Sequence, residues 1–243
     1  MKINIKALVQ LLDSHESKWR THITSVIGLV GEDINAAIFV DYLKRWKKVN
    51  AEVSSDKVKP KTLKGKRLDR WIIAGNKLYQ VEIKNWCSFR IGGYTLPLGA
   101  TEKVVEELAN KNWKRELIEQ WGNGGDNRTG KSRHGIKEFG RVSKVLSEMN
   151  LSDNLLKYKN RLKPLVIHWM PISNKKTESF FFLSVKSMGL SNYINNRIKF
   201  DRVYYFSSSL YLRELIKSGK KTLDLDLPNV KIRLNALNTF LAL

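Results

Sequence analysis

Asp69, Glu82 and Lys84 are the residues of this chain whose types and spacing best suit joint chemistry. They lie in the stretch Arg67–Trp86. Its two halves, Arg67–Ala74 and Lys77–Trp86, are rich in β-branched and aromatic residues and flank Gly75-Asn76, a two-residue hairpin signal. If those two residues are the whole loop, Ala74 faces Lys77, Ile73 faces Leu78, and Asp69 falls opposite Glu82. Residues two apart share a strand face, so Lys84 lies beside Glu82, and Arg67 sits across from Lys84. Two directly opposed carboxylates have Cβ atoms about 4.5–5.5 Å apart and repel each other. A hard divalent cation relieves that repulsion, and Mg²⁺ typically takes one or two carboxylates plus substrate phosphate. A lysine close by could hold the attacking water or neutralise charge building on a phosphate. The competing reading is a surface hairpin with Asp69 and Glu82 in ordinary ion pairs to Arg67, Arg70 and Lys84. Against it, Leu78, Tyr79, Val81, Ile83 and Trp86 make the second strand apolar enough to be central in a sheet. Charges there are rarely buried unless paired or metal-bound.

Other elements must bring further groups to this hairpin. A helix is expected over about 32–48, with Gly31 breaking the pattern before it. Ala36, Phe39, Val40 and Leu43 follow helical spacing from Glu32, so Glu32 is expected to project from the apolar stripe towards the core. Asp33 lines up with Asp41 and Lys44, towards solvent. Glu32 at a helix start is also explained by the favourable helix dipole alone. Residues 44–70 are strongly basic, and KVKPKTLKGK leads directly into the Asp69 strand. Lys64, Lys66, Arg67 and Arg70 are therefore candidates for holding phosphates near the chemistry.

This pattern resembles the PD-(D/E)xK nuclease superfamily, and most closely its nuclease-related, NERD-like branch. The resemblance rests on Gly31-Glu32, Asp69, Glu82-Ile83-Lys84-Asn85-Trp86 and the following Gly92-Gly93, and covers roughly residues 31–93. Leu68 stands where the superfamily motif carries a proline, a position that varies within it. The resemblance implies Mg²⁺ (or Mn²⁺) held by Asp69 and Glu82, with Glu32 directly or through water. It makes the carbonyl of Ile83 a further ligand and Lys84 the residue that positions the nucleophilic water. It also implies an α/β fold in which helices flank a mixed central sheet, a restriction-endonuclease-like core. The expected reaction is hydrolysis of phosphodiester bonds, with double-stranded DNA as the expected substrate, by an endonuclease of restriction, defence or repair type. A non-catalytic nucleic-acid-binding module on a nuclease-like fold is the alternative.

Composition agrees with a polyanionic partner. The chain has 243 residues, a formal net charge of +21 and 42% hydrophobic residues, ordinary for a globular protein apart from the charge. No apolar run approaches the roughly 18 residues needed to span a bilayer, and the N-terminus carries no convincing signal sequence. The expectation is a cytoplasmic protein with no membrane partner; a homodimer or a partner subunit stays open. Cys87 is the single cysteine, so an internal disulfide and a cysteine-based zinc site are excluded, and it reads as a small core residue.

The rest of the chain reads as one domain, 1–243, with a core over about 31–172 and a C-terminal extension over about 173–243. Residues 1–30 read as mainly helical, Phe89–Ala100 as a loop, Thr101–Trp121 and 136–160 as helices. Gly125–Ser132 satisfies the P-loop pattern GxxxxGK[ST] letter for letter. That motif needs a buried strand before it, whereas WKRELIEQWGNG is helical and polar. Gly122–Gly135 is better read as a mobile basic loop carrying Arg128, Lys131, Arg133 and His134, which either closes on nucleic acid or is simply disordered. Leu165–Met170, Phe180–Val185 and Asp201–Phe206 read as strands, and His168 as a core histidine. Ser207–Ser209 caps a helix to about Lys217, and 221–243 adds a strand and a packing segment.

Overall fold

A computed structural model describes residues 1–13, 20–55, 69–84, 96–114, 152–184 and 202–241. The helices are α1 (Ile5–Asp13), α2 (Arg20–Trp46), α3 (Glu102–Asn112), the single turn α4 (Asp153–Leu156), α5 (Ser208–Lys217) and α6 (Pro228–Leu241). The strands are β1 (Lys2–Asn4), β2 (Ala51–Val53), β3 (Arg70–Ala74), β4 (Lys77–Lys84), β5 (Leu162–His168), β6 (Phe180–Ser184), β7 (Arg202–Ser207) and β8 (Thr222–Asp224). Six of them form a mixed sheet in the order β2-β3-β4-β5-β7-β6. β4, β5 and β7 run parallel, and the outer pairings are antiparallel. The protein is therefore α/β, a mixed sheet flanked by helices, as expected. The region after residue 172 supplies β6 and β7, and β7 lies between β5 and β6, so this region completes the sheet.

The β3–β4 hairpin forms in the expected register, with Ala74 opposite Lys77 and Ile73 opposite Leu78. Gly75 makes the turn at φ +56°, a conformation that costs glycine little. A Cβ there would also meet Val49 Cγ1 at 3.3 Å, and the Gly75 N–H donates to Asn50 O at 2.9 Å. The turn is thus locked to the chain between α2 and β2.

Alternation gives the sheet two different faces. One carries Ile72, Tyr79, Val81, Ile83, Leu165, Ile167 and Phe206 and packs with Phe39, Tyr42 and Leu43 of α2. Phe39 is central: its ring lies 4.9 Å from Phe206 and 5.4 Å from Tyr79, both edge-on. Each such buried aromatic contributes about 1.5–3 kcal/mol of transfer free energy. The other face carries Trp71, Gln80, Glu82 and Lys84, then Val166, His168 and Tyr205. α3 reaches this face near β6 and β7, with Trp113 edge-on to Phe181 at 5.3 Å and to Tyr205 at 6.3 Å.

The N-terminal third differs from expectation. Residues 2–4 are a strand paired to β8, and the Met1 ammonium donates to Leu225 O at 2.7 Å. Gly31 does not break a helix: α2 runs through it as one 27-residue element. Glycine costs a helix interior only about 1 kcal/mol, which the packing of α2 outweighs. Asp33 and Asp41 do not face solvent either; both are buried. α2 lies between the sheet and the C-terminal helices, so its second side is covered too. Ser208 Oγ donates to Asn35 Oδ1 at 2.6 Å, Tyr211 OH donates to Asp41 Oδ2 at 2.6 Å, and Arg233 reaches Asp33 from α6.

α3 begins at Thr101, whose hydroxyl accepts from Val104 N, and its expected extension to Trp121 runs beyond the described residues. So do Trp86, Cys87, Gly92-Gly93, the P-loop look-alike Gly125–Ser132 and most of 136–160. β5, β6, β7, α5 and β8 fall where the sequence placed them. Ser207 caps α5 through Leu210 N at 3.3 Å, and His168 is fully buried.

Candidate active site

The β3–β4 register ends at Arg70 opposite Val81. Continued one step, the register places Asp69 across from Glu82, the position expected from the sequence, and the Glu82 charge acts on the Asp69 carboxyl. Asp69 sits just before β3, and its carboxylate is held there by the Ile83 N–H, which donates to Oδ2 at 2.7 Å. Lys84, two residues along β4 from Glu82, donates through Nζ to Glu82 Oε1. Both side chains are largely buried.

The electrostatics follow from this packing. Burial pushes the Asp69 carboxyl up to about 7; the Glu82 charge adds to the rise and Glu32 adds less, while the Ile83 N–H and Lys84 oppose it. Two carboxyls that repel in a poorly hydrated place are suited to a cation. Asp69 and Glu82 match the one or two carboxylates that Mg²⁺ uses, so the donor set fits the ion implied by the resemblance. Among the described residues, no group of three or more His, Cys, Asp and Glu side chains is arranged to hold a metal. Glu32 explains that count. It lies inside α2, not at a helix start, so no helix terminus stabilises it. Its side chain is 41% exposed, and its Oε2 lies 3.4 Å from Arg70 Nη1.

Arg70 was a candidate phosphate contact. In the structure its guanidinium donates to Asp33 Oδ1 at 2.6 Å and to the Asp69 carbonyl. Arg233 completes the group, with Nη1 2.9 Å from Asp33 Oδ2. Arg70 thus organises the acidic residues behind the site. Lys64, Lys66, Arg67, Arg128, Lys131 and Arg133 lie outside the described residues.

Three participants were not assigned to the site from sequence. Asp33 reads from the sequence as a solvated neighbour of Glu32, but it is buried against Arg70 and Arg233. His168 pairs in register with Lys84 on the same face, where burial and then the Lys84 charge hold its imidazole down to about 3, so it is neutral at physiological pH. Gln80 shares the face of Glu82 and Lys84 and is 1% exposed. Its signal in the sequence was its place two residues before Glu82. A glutamine in an alternating strand otherwise reads as solvent-facing.

No family model matches the chain, and neither the curated proteins nor the solved structures contain a match to it. No helix among the described residues is long and apolar enough to cross a membrane.

Proposed function

We propose that this protein is a metal-dependent nuclease that hydrolyses phosphodiester bonds in DNA, with a restriction-endonuclease-like core. The observation that carries the reading is the opposed Asp69–Glu82 pair beside Lys84, with Asp69 pushed up to about 7 by burial and by Glu82. The resemblance of Glu32, Asp69 and Glu82-Ile83-Lys84 to the PD-(D/E)xK superfamily supports it, as does the net charge of +21. Asp69 and Glu82 would hold Mg²⁺ or Mn²⁺, with the Ile83 carbonyl adjoining and Glu32 joining on release from Arg70. The ion would supply charge neutralisation at the scissile phosphate and a more acidic water. Lys84 positions that water through Nζ and offsets charge on the phosphate oxygens. Asp69 must give up its proton before it can act as a ligand. The Ile83 N–H fixes one carboxylate oxygen, Oδ2, and so orients Asp69. Neutral His168 beside Lys84 adds no competing charge to the face.

One observation favours a second reading, a non-catalytic nucleic-acid-binding module on the same fold. Lys84 is taken up by Glu82, and Glu32 by Arg70. Incubating circular and linear DNA with the protein, with Mg²⁺ or with EDTA, separates the two. Linearised circles only with metal support the nuclease; DNA binding without cleavage under either condition supports the module.

A further inference from the structure

Gln80 is the buried polar group on the site face that the proposed chemistry leaves unused. Neither Oε1 nor Nε2 of its amide has a hydrogen-bond partner, and the side chain is almost wholly removed from water. An unsatisfied buried amide costs about 1–3 kcal/mol, so burying one at random is disfavoured. Its location is specific. It lies on β4 two residues from Glu82 and four from Lys84, pointing to the same face, with Trp71 as its register partner on β3. The Trp71 indole N–H is likewise buried without a partner. Two unmet donors and an unmet acceptor thus adjoin the Asp69–Glu82 pair, on the side of Glu82 opposite Lys84.

A phosphodiester cannot reach a side chain this deeply buried, but water can. Mg²⁺ dehydrates reluctantly and keeps several waters when bound through one or two carboxylates. Those waters need both donors and acceptors around them, and an amide supplies both. We propose that Gln80 is a positioning residue whose amide hydrogen-bonds the hydration shell of the cation held by Asp69 and Glu82. The assignment rests on the metal site proposed above. Groups of this outer kind typically carry 10–100-fold in metal affinity, about the level expected here.

The test uses Gln80→Met, which keeps length and approximate volume while removing both polar ends. In EDTA the variant should melt at or above the parent, because an unsatisfied buried group is lost. A lower melting temperature would mean the amide is already satisfied within the protein, and would overturn the proposal. Mn²⁺ affinity, read by the electron paramagnetic resonance of free ion, should fall about 10–100-fold in the variant. In the parent, the Gln80 side-chain amide resonances, assigned by their loss in Gln80→Met, should shift on adding Mg²⁺. Parent and variant binding Mn²⁺ equally, or unmoved amide resonances in a parent that binds Mg²⁺, would remove Gln80 from the site and leave the metal reading intact. A parent that binds neither ion would remove both.

Discussion

Asp33, buried, and Asp69, largely but not fully buried, are two carboxylates served by one arginine, and they are treated in opposite ways. Asp33 accepts from Arg70 on one oxygen and faces Arg233 at 2.9 Å on the other, with Asn229 Nδ2 at 3.4 Å. Its charge is matched by groups from β3 and α6, so the fold needs nothing further there. Asp69 receives one backbone N–H from Ile83, and from Arg70 only a bond to its main-chain carbonyl. Its nearest strand partner is another acid. The difference separates a carboxylate whose charge is matched within the fold from one whose carboxyl is pushed up to about 7 by burial and by Glu82, the pattern on which the proposed metal site rests. Burial is common to both, so burial alone does not distinguish them; the sign of the neighbouring charge does.

The largest test of this contrast is activity. Lys84→Ala should lower DNA cleavage by about 10²–10³-fold, the usual loss when one positioned charge-stabilising group is removed. Its circular dichroism should match the parent. Asp33→Asn should leave the chemical step nearly unchanged in the folded fraction. Undiminished cleavage by Lys84→Ala would take Lys84 out of the mechanism.

Metal response comes next. Mg²⁺ at about a hundred times its Kd should stabilise the parent by about 2.7 kcal/mol, through binding to the native state alone. Asp69→Asn should gain clearly less, and Asp33→Asn should gain as much as the parent. A parent whose melting temperature ignores Mg²⁺ and Mn²⁺ would reduce the Asp69–Glu82 pair to a structural feature.

Stability in EDTA should then split the two aspartates by sign. Asp33→Asn leaves Arg70 and Arg233 without their shared anion and should cost about 1–3 kcal/mol. Asp69→Asn removes a repulsion at nearly constant shape and should melt above the parent. If both variants melt lower, Asp69 is already matched by a neighbouring cation and the contrast fails.

The hairpin was the most legible part of the sequence because its information is local. Gly75-Asn76 fixes the turn, the turn fixes the register, and the register places Asp69 against Glu82 without reference to anything distant. β7 and α5 were legible for a similar reason: an apolar run ends at Ser207, whose hydroxyl caps the next helix. The helix carrying Glu32 was misjudged because its boundaries and faces are set from far away. Gly31 reads as a breaker only if tertiary packing is ignored. Asp33 and Asp41 read as solvated only if α2 has one covered side, whereas α5 and α6 cover the other from more than 160 residues along the chain. The burial of Gln80 was only half legible: Leu78, Tyr79, Val81 and Ile83 mark the strand as central, but a glutamine's own type points to solvent, and that conflict is the signal it carried.

The smallest expected effect is a pH dependence, and its sign follows from the same repulsion. Asp69 and Glu214 are both held up to about 7, chiefly by burial, from usual values of 3.8 and 4.5. A carboxyl whose folded pKa exceeds its unfolded one binds extra protons in the native state between those two values. Stability therefore falls as pH rises through that window, from about 4 to about 7, and is flat in these two groups above it. In EDTA, thermal melts should decline from pH 5 to pH 7. Asp69→Asn should flatten part of that decline, and Glu214→Gln, remote from the site chemistry on α5, should flatten another part. Adding Mg²⁺ should distinguish them. The cation competes with the proton at Asp69, so its stabilising effect should grow as pH rises towards 7 and should keep growing in Glu214→Gln. In Asp69→Asn that growth should largely disappear. A metal effect that is independent of pH in the parent would mean that Asp69 is not a ligand, whatever its position opposite Glu82.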